Sequence, residues 1–97
     1  MIRGGNAVLF VSDISTAIRF YVETLGMKLV EESRKAMVVD AGEGFRFSLE
    51  VGTARGALVF HPKIPLLEAI EILGNRGIAF DETGRFHDPD GNKLQLV

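Results

Sequence analysis

Two histidines, His61 and His87, are the side chains of this 97-residue sequence that titrate nearest neutral pH, and either could act as a base or metal ligand beside a suitable partner. Arg46 and Glu50 belong to the stretch "RFSLE", where alternation puts them on one face of a strand; a pair of this kind could recognise a carboxylate or an amide. Each has a plainer reading. His61 meets Pro62 at the end of an apolar run, a place for a partly exposed strand-end residue. His87 precedes Asp88 and could bond to the turn that follows. Arg46 and Glu50 could equally lie on a solvated sheet edge. Tyr21 sits at helical spacing among apolar residues and reads as core. The chain has no cysteine, which removes disulfides, thiolate metal sites and thiol nucleophiles together. Its glycine stretches "RGGN" and "AGEGF" lack the strand, spacing and helix of a phosphate-binding loop.

The elements that would position these residues form a repeat. Asn6 to Val11 reads as a buried strand leading to Ser12-Asp13, a good helix N-cap. Ile14, Ala17, Ile18, Tyr21 and Leu25 then share a helical face, and Gly26 supplies the stop. Strands are expected at Lys28 to Glu32, Ala36 to Asp40 and Phe45 to Val51. The second half has the same order: a strand from Gly56 to Phe60, a helix opened by Pro65 with Leu66, Ala69, Ile70 and Leu73 on its apolar stripe, a stop at Gly77, and strands at Ile78 to Phe80, Arg85 to His87 and Lys93 to Val97. "SLEV" at 48–51 matches "KLQL" at 93–96. The simplest account is a duplicated β-α-β-β-β unit, with modules of about 6–51 and 56–97 in one domain spanning 1–97. The turn Asp88-Pro89-Asp90-Gly91-Asn92 sets the register of the last strand.

Composition narrows the partners. A net charge of −2 without a basic cluster argues against a nucleic-acid surface, and no apolar run approaches the roughly 18 residues of a membrane span. A soluble, cytoplasmic protein is the expectation. Modules of this size have little core of their own, so a homodimer is expected as well.

"FVSDISTAIRFYVETLGMKL" near the start and "DPDGNKLQLV" at the end resemble the two hallmark stretches of the glyoxalase, bleomycin-resistance and extradiol-dioxygenase superfamily, the vicinal oxygen chelate fold. The resemblance implies an α+β fold in which paired βαβββ modules form an open, barrel-like sheet around a central cavity, within one chain or across a dimer. Both stretches are structural, a strand-to-helix junction and a hairpin turn, so they speak to fold before reaction. The resemblance also implies ligand positions for a divalent metal, which fall here on Asn6, Glu50, Gly56 and Gln95. One carboxylate with two amides and a glycine is a poor set, so no metal is expected; if one is present, Glu50, Gln95 and His87 are its candidate ligands.

Strand alternation, joined to this fold, assigns a cavity face to Val8 and Phe10, to Arg46, Ser48 and Glu50, and to Gln95, with Leu58 and Phe60 extending its apolar floor and His87 at its margin. Three readings of function follow. The first is a metal-free member that binds a small, partly apolar organic molecule. The second is a metal-dependent lyase, isomerase or dioxygenase with an atypical ligand set. The third is a non-catalytic dimerisation module.

Overall fold

The computed structural model describes residues 1–97. Its first sheet takes strand β1 (Val8–Val11), β2 (Lys28–Glu32), β3 (Ala36–Asp40) and β4 (Arg46–Val51) in the spatial order β1-β4-β3-β2, with β1 parallel to β4 and the others antiparallel. The second sheet takes β5 (Ala57–Phe60), β6 (Arg85–His87) and β7 (Lys93–Leu96) in the order β5-β7-β6, with β5 parallel to β7. The chain is thus an α+β protein with two mixed sheets, and neither closes into a barrel.

The first helix begins as expected. Asp13 caps it by accepting from the Thr16 amide at 3.0 Å, and α1 (Ile14–Ala17) continues into a π-wound segment, Ile18–Thr24, instead of remaining α-helical. Its apolar stripe still faces inward, with Ile14, Ala17 and Tyr21 buried. Gly26 ends the segment at φ +80°, and Gly77 stands at φ +96° after α2 (Leu66–Asn75), the left-handed conformation that glycine adopts without steric cost.

One expected strand is absent. Ile78 to Phe80 pairs with no neighbour, so the second sheet has three strands where the first has four. The physical reason lies just beyond it: Asp81 Oδ1 accepts from the Thr83 amide at 2.8 Å and the Arg85 amide at 3.0 Å, pulling the chain into a tight turn closed by two backbone bonds, Asp81 N to Arg85 O and Gly84 N to Asp81 O. Ile78 and Phe80 pack on the core without joining the ladder.

A single hydrophobic cluster joins the two sheets. Leu9, Val11, Met37, Val39, Phe47 and Leu49 enter it from the first, and Phe60, Phe86, Leu94 and Leu96 from the second. Aromatic contacts run through it, from Phe60 to Phe47 at 5.8 Å, Phe47 to Tyr21 at 5.9 Å, and Phe80 to Phe86 at 4.8 Å between ring centres. Each sheet therefore buries one face and leaves the other open.

Candidate functional site

Alternation on β1, β3 and β4 decides what the open face of the first sheet carries. Val8 stands beside Ser48, which stands beside Val38; Phe10 stands beside Glu50, which stands beside Ala36. Val8 is exposed, while Phe10, Val38, Ser48 and Glu50 are half-buried. A strip of apolar side chains thus borders a hydroxyl and a carboxylate on the central strand. Gly52 helps to fix the Phe10 ring, since a Cβ there would meet Phe10 Cδ1 at 2.5 Å.

Arg46 shares this face but does not pair with Glu50. Four residues along a strand separate their Cα atoms by roughly 13 Å at 3.3 Å per residue, too far for a direct ion pair. Instead Arg46 Nε donates to Asp40 Oδ2 at 3.2 Å, directly across from it on β3. Asp40 also accepts from the Gly42 amide at 2.7 Å, and that bond, followed by the arginine, holds its carboxyl below the usual range.

The second sheet corrects two further expectations. Leu58 and Phe60 do not face the open side: they are in register with Leu94 and Leu96 and point into the core, Phe60 being 8% exposed. Residues side by side on neighbouring strands share a face, so placing Leu94 and Leu96 in the core commits Leu58 and Phe60 as well. The open face carries Ala57, Val59, Lys93 and Gln95, with Arg85 opposite Gln95 and His87 opposite Lys93. His87 is exposed, and His61 is exposed at the end of β5 with Nδ1 3.3 Å from the Val97 oxygen.

The inherited metal positions can be tested on their donors. Asn6 is exposed ahead of β1 and Gly56 has no side chain; its amide donates to Asn92 Oδ1 at 2.8 Å. Gln95 Nε2 donates to the Thr83 carbonyl at 3.1 Å, and His87 faces a lysine across the ladder. No three His, Cys, Asp or Glu side chains of the chain are grouped so that they could hold a metal ion. Within one chain this donor set does not fit the divalent ion that the fold family implies.

The terminal turn proves to be a buried polar centre. Asp88 Oδ1 accepts from the amides of Asp90 and Asn92 at 3.0 and 2.8 Å, and Oδ2 accepts from Tyr21 Oη at 2.6 Å and Asn92 Nδ2 at 2.8 Å. Asn92 Nδ2 also reaches the Phe10 carbonyl at 2.8 Å, so one asparagine ties the turn to β1 and, through Gly56, to the start of β5. Outside this knot, Arg55 Nε donates to the Asp90 carbonyl at 2.6 Å and Nη1 to the Phe10 carbonyl at 3.3 Å, and Ser12 Oγ donates to Asp90 Oδ1. Burial, then the bond to Asp88, drives the Tyr21 pKa far upward, so its hydroxyl stays a donor. These residues hold the strands in place behind the open faces. Turn chemistry accounts for Asp88 in the sequence, but nothing there signals that Tyr21, Arg55 and Asn92 converge on the same turn.

With this geometry in hand, the comparisons define a class. The sequence matches the glyoxalase/bleomycin resistance protein/dioxygenase superfamily over residues 5–80, and the chain belongs to that superfamily. Among solved structures it is similar to a protein from the mobile metagenome of V. Pseudocholerae, at 26% identity and a TM-score of 0.79, covering 99% of this chain and 93% of the other. It is also similar to a glyoxalase/bleomycin resistance protein from Streptomyces sp. CB03234, at 26% identity and a TM-score of 0.71, covering 95% and 98%. An antibiotic-binding protein from the same Streptomyces shares the fold at 24% identity and a TM-score of 0.77, covering 99% and 96%. No curated protein sequence matches.

Proposed function

We propose that this protein binds a small, partly apolar organic molecule on the open faces of its sheets, without a metal ion. The observation that carries the reading is the face of the first sheet, where Val8, Phe10 and Val38 lie uncovered or half-covered beside Ser48 and Glu50. Apolar side chains left open around a few polar groups suit a ligand that is mostly hydrocarbon with one or two hydrogen-bonding groups. Arg46, Gln95 and His87 stand on the open faces as further polar contacts; Leu58 and Phe60 support the site from behind. Membership of a superfamily named in part for bleomycin resistance, and an antibiotic-binding protein of the same fold, support this class of ligand. The protein is proposed to work in the cytoplasm as a homodimer, a second copy screening the open faces from water.

Calorimetric titration with bleomycin and with a panel of smaller aromatic antibiotics, alongside metal analysis of the purified protein, tests the reading. Saturable binding by a member of the panel that is lost in Phe10→Ala, unaffected by chelator, is the expected result. Finding about one equivalent of a transition metal per chain, lost on chelation together with several degrees of thermal stability, would transfer the assignment to a metal-dependent lyase, isomerase or dioxygenase with Glu50 as first ligand.

A further inference from the structure

A large opening lies apart from Val8, Phe10 and Glu50. A cleft of about 980 Å³ runs between the β3–β4 connection, with Asp40 at its start and Phe45 at its end, and the stretch from Val59 at the end of β5 to Ile64 before α2, with Ile72 and Leu73 of α2 on its wall. Val8, Phe10, Ser48, Glu50, His87 and Gln95 take no part in it. Phe45 is 40% exposed, Val59 50%, and Ile64 and Ile72 each 39%, so four large apolar side chains meet in one concavity that the chain itself leaves uncovered.

The charges around this cleft are unequal. Asp40 is already engaged by Arg46 and by the Gly42 amide. Lys28 and Lys63 stand on the lining, both exposed and neither within ion-pair distance of a carboxylate, although Lys28 faces Asp40 across the ladder; the remaining carboxylate, Glu43, is exposed at the tip of the connection. With Arg46 beside Asp40, three cations stand against two carboxylates along an apolar wall. A ligand that satisfies both features has a hydrocarbon body and an anionic head, which gains charge-assisted bonds that a neutral or cationic analogue forgoes.

We propose that this cleft is a second binding site, for an amphipathic organic anion whose carboxylate or sulfonate head meets Lys63 and Lys28 and whose alkyl or aryl body lies along Phe45, Val59, Ile64 and Ile72. The cleft meets the open faces of the sheets at Lys28, Asp40 and Val59, but none of Val8, Phe10, Val38, Ser48 and Glu50, which carry the proposed function, lines it, so either proposal can fail alone. Because both lysines are exposed, added salt weakens the head-group contact and leaves the apolar one.

Decanoate below its micelle concentration, followed by amide NMR and compared with decyltrimethylammonium, is the test. Decanoate should bind saturably, shift amides at Lys28, Ala41 to Phe45 and Val59 to Ile64, and weaken with salt. A Lys28→Glu, Lys63→Glu double variant, folded as judged by an otherwise unchanged spectrum, should bind about tenfold more weakly, as expected for losing a charge-assisted contact. Ile72→Trp, which fills the cleft, should block decanoate and leave shifts at Val8 and Phe10 untouched. Equal binding of the cationic analogue, shifts centred on Val8 and Phe10, or no saturable binding would each overturn the proposal. So would a dimer that protects the cleft amides and dissociates in Ile72→Glu, because a second copy would then be the occupant.

Discussion

Tyr21 shows how much one side chain depends on its surroundings. It is the only tyrosine of the chain, which has no tryptophan, so its ionisation can be followed by absorbance without interference. Its ring is fully buried against Phe47 and its hydroxyl donates to Asp88, both of which disfavour the phenolate. The folded pKa lies above the ordinary value of 10.0, so the stabilisation is fully present below pH 10 and is lost as pH rises beyond it, where the unfolded chain ionises first. Tyrosinate absorbance should therefore appear only together with loss of the folded circular dichroism signal, and Tyr21→Phe should flatten that part of the alkaline stability profile. Tyrosinate forming in a chain that is still folded would contradict the buried bond to Asp88. At the acid end, Asp13, Asp40 and Asp81 have lowered pKa values, each held chiefly by hydrogen bonds; their contributions are present above the ordinary carboxylate range and fade as pH falls through the folded values.

At the scale of the element, β7 is the most informative strand. Leu94 and Leu96 are buried against β5 and the core, while Gln95 between them is half-buried on the open face, bonded only to the Thr83 carbonyl. Leu94→Ala should cost about 2 to 5 kcal/mol, because a fully buried leucine leaves a cavity. Gln95→Ala should cost about 1 kcal/mol or less, one hydrogen bond at a partly wet site. Chemical denaturation of the two variants measures the difference, and a reversed order would mean that the strand faces the other way. The same strand carries the repeat: β4 lies parallel to β1 as β7 lies parallel to β5, with Leu49 and Leu94 each buried at equivalent rungs.

The whole molecule is small for the apolar surface it leaves uncovered. Val8, Val59 and Phe45 are exposed on the sheet faces and cleft, and Leu67 on α2 is 81% exposed. Cover from a second copy is the physical basis for expecting a homodimer. Light scattering at micromolar concentration should give twice the chain mass, and Val8→Asp should lower it toward one chain without unfolding the protein. A mass of one chain for the unaltered protein would count against the dimer.

Period, capping and turn chemistry were legible without coordinates. The Asp13 cap, the inward stripe of Ile14, Ala17 and Tyr21, the left-handed Gly26 and Gly77, and the buried Leu94 and Leu96 all follow from local preferences that each residue expresses wherever it stands. Even the inward side of Leu58 and Phe60 was implied by the repeat, because they align with Leu9 and Val11 through the matching strands β4 and β7; reading β5 by itself missed it, since a short apolar run does not declare which face is buried. Other features needed the tertiary structure. Arg46 chose Asp40 across the ladder, the strand expected at 78–80 lost its partner to the Asp81 turn, and Tyr21, Arg55 and Asn92 converged on one turn from distant parts of the chain. The cleft beside α2 likewise exists only between elements. Sequence determines what a residue prefers over a few neighbours, whereas partners far apart in the chain are set by how the sheets pack, and that packing minimises the energy of the whole chain rather than of any one segment.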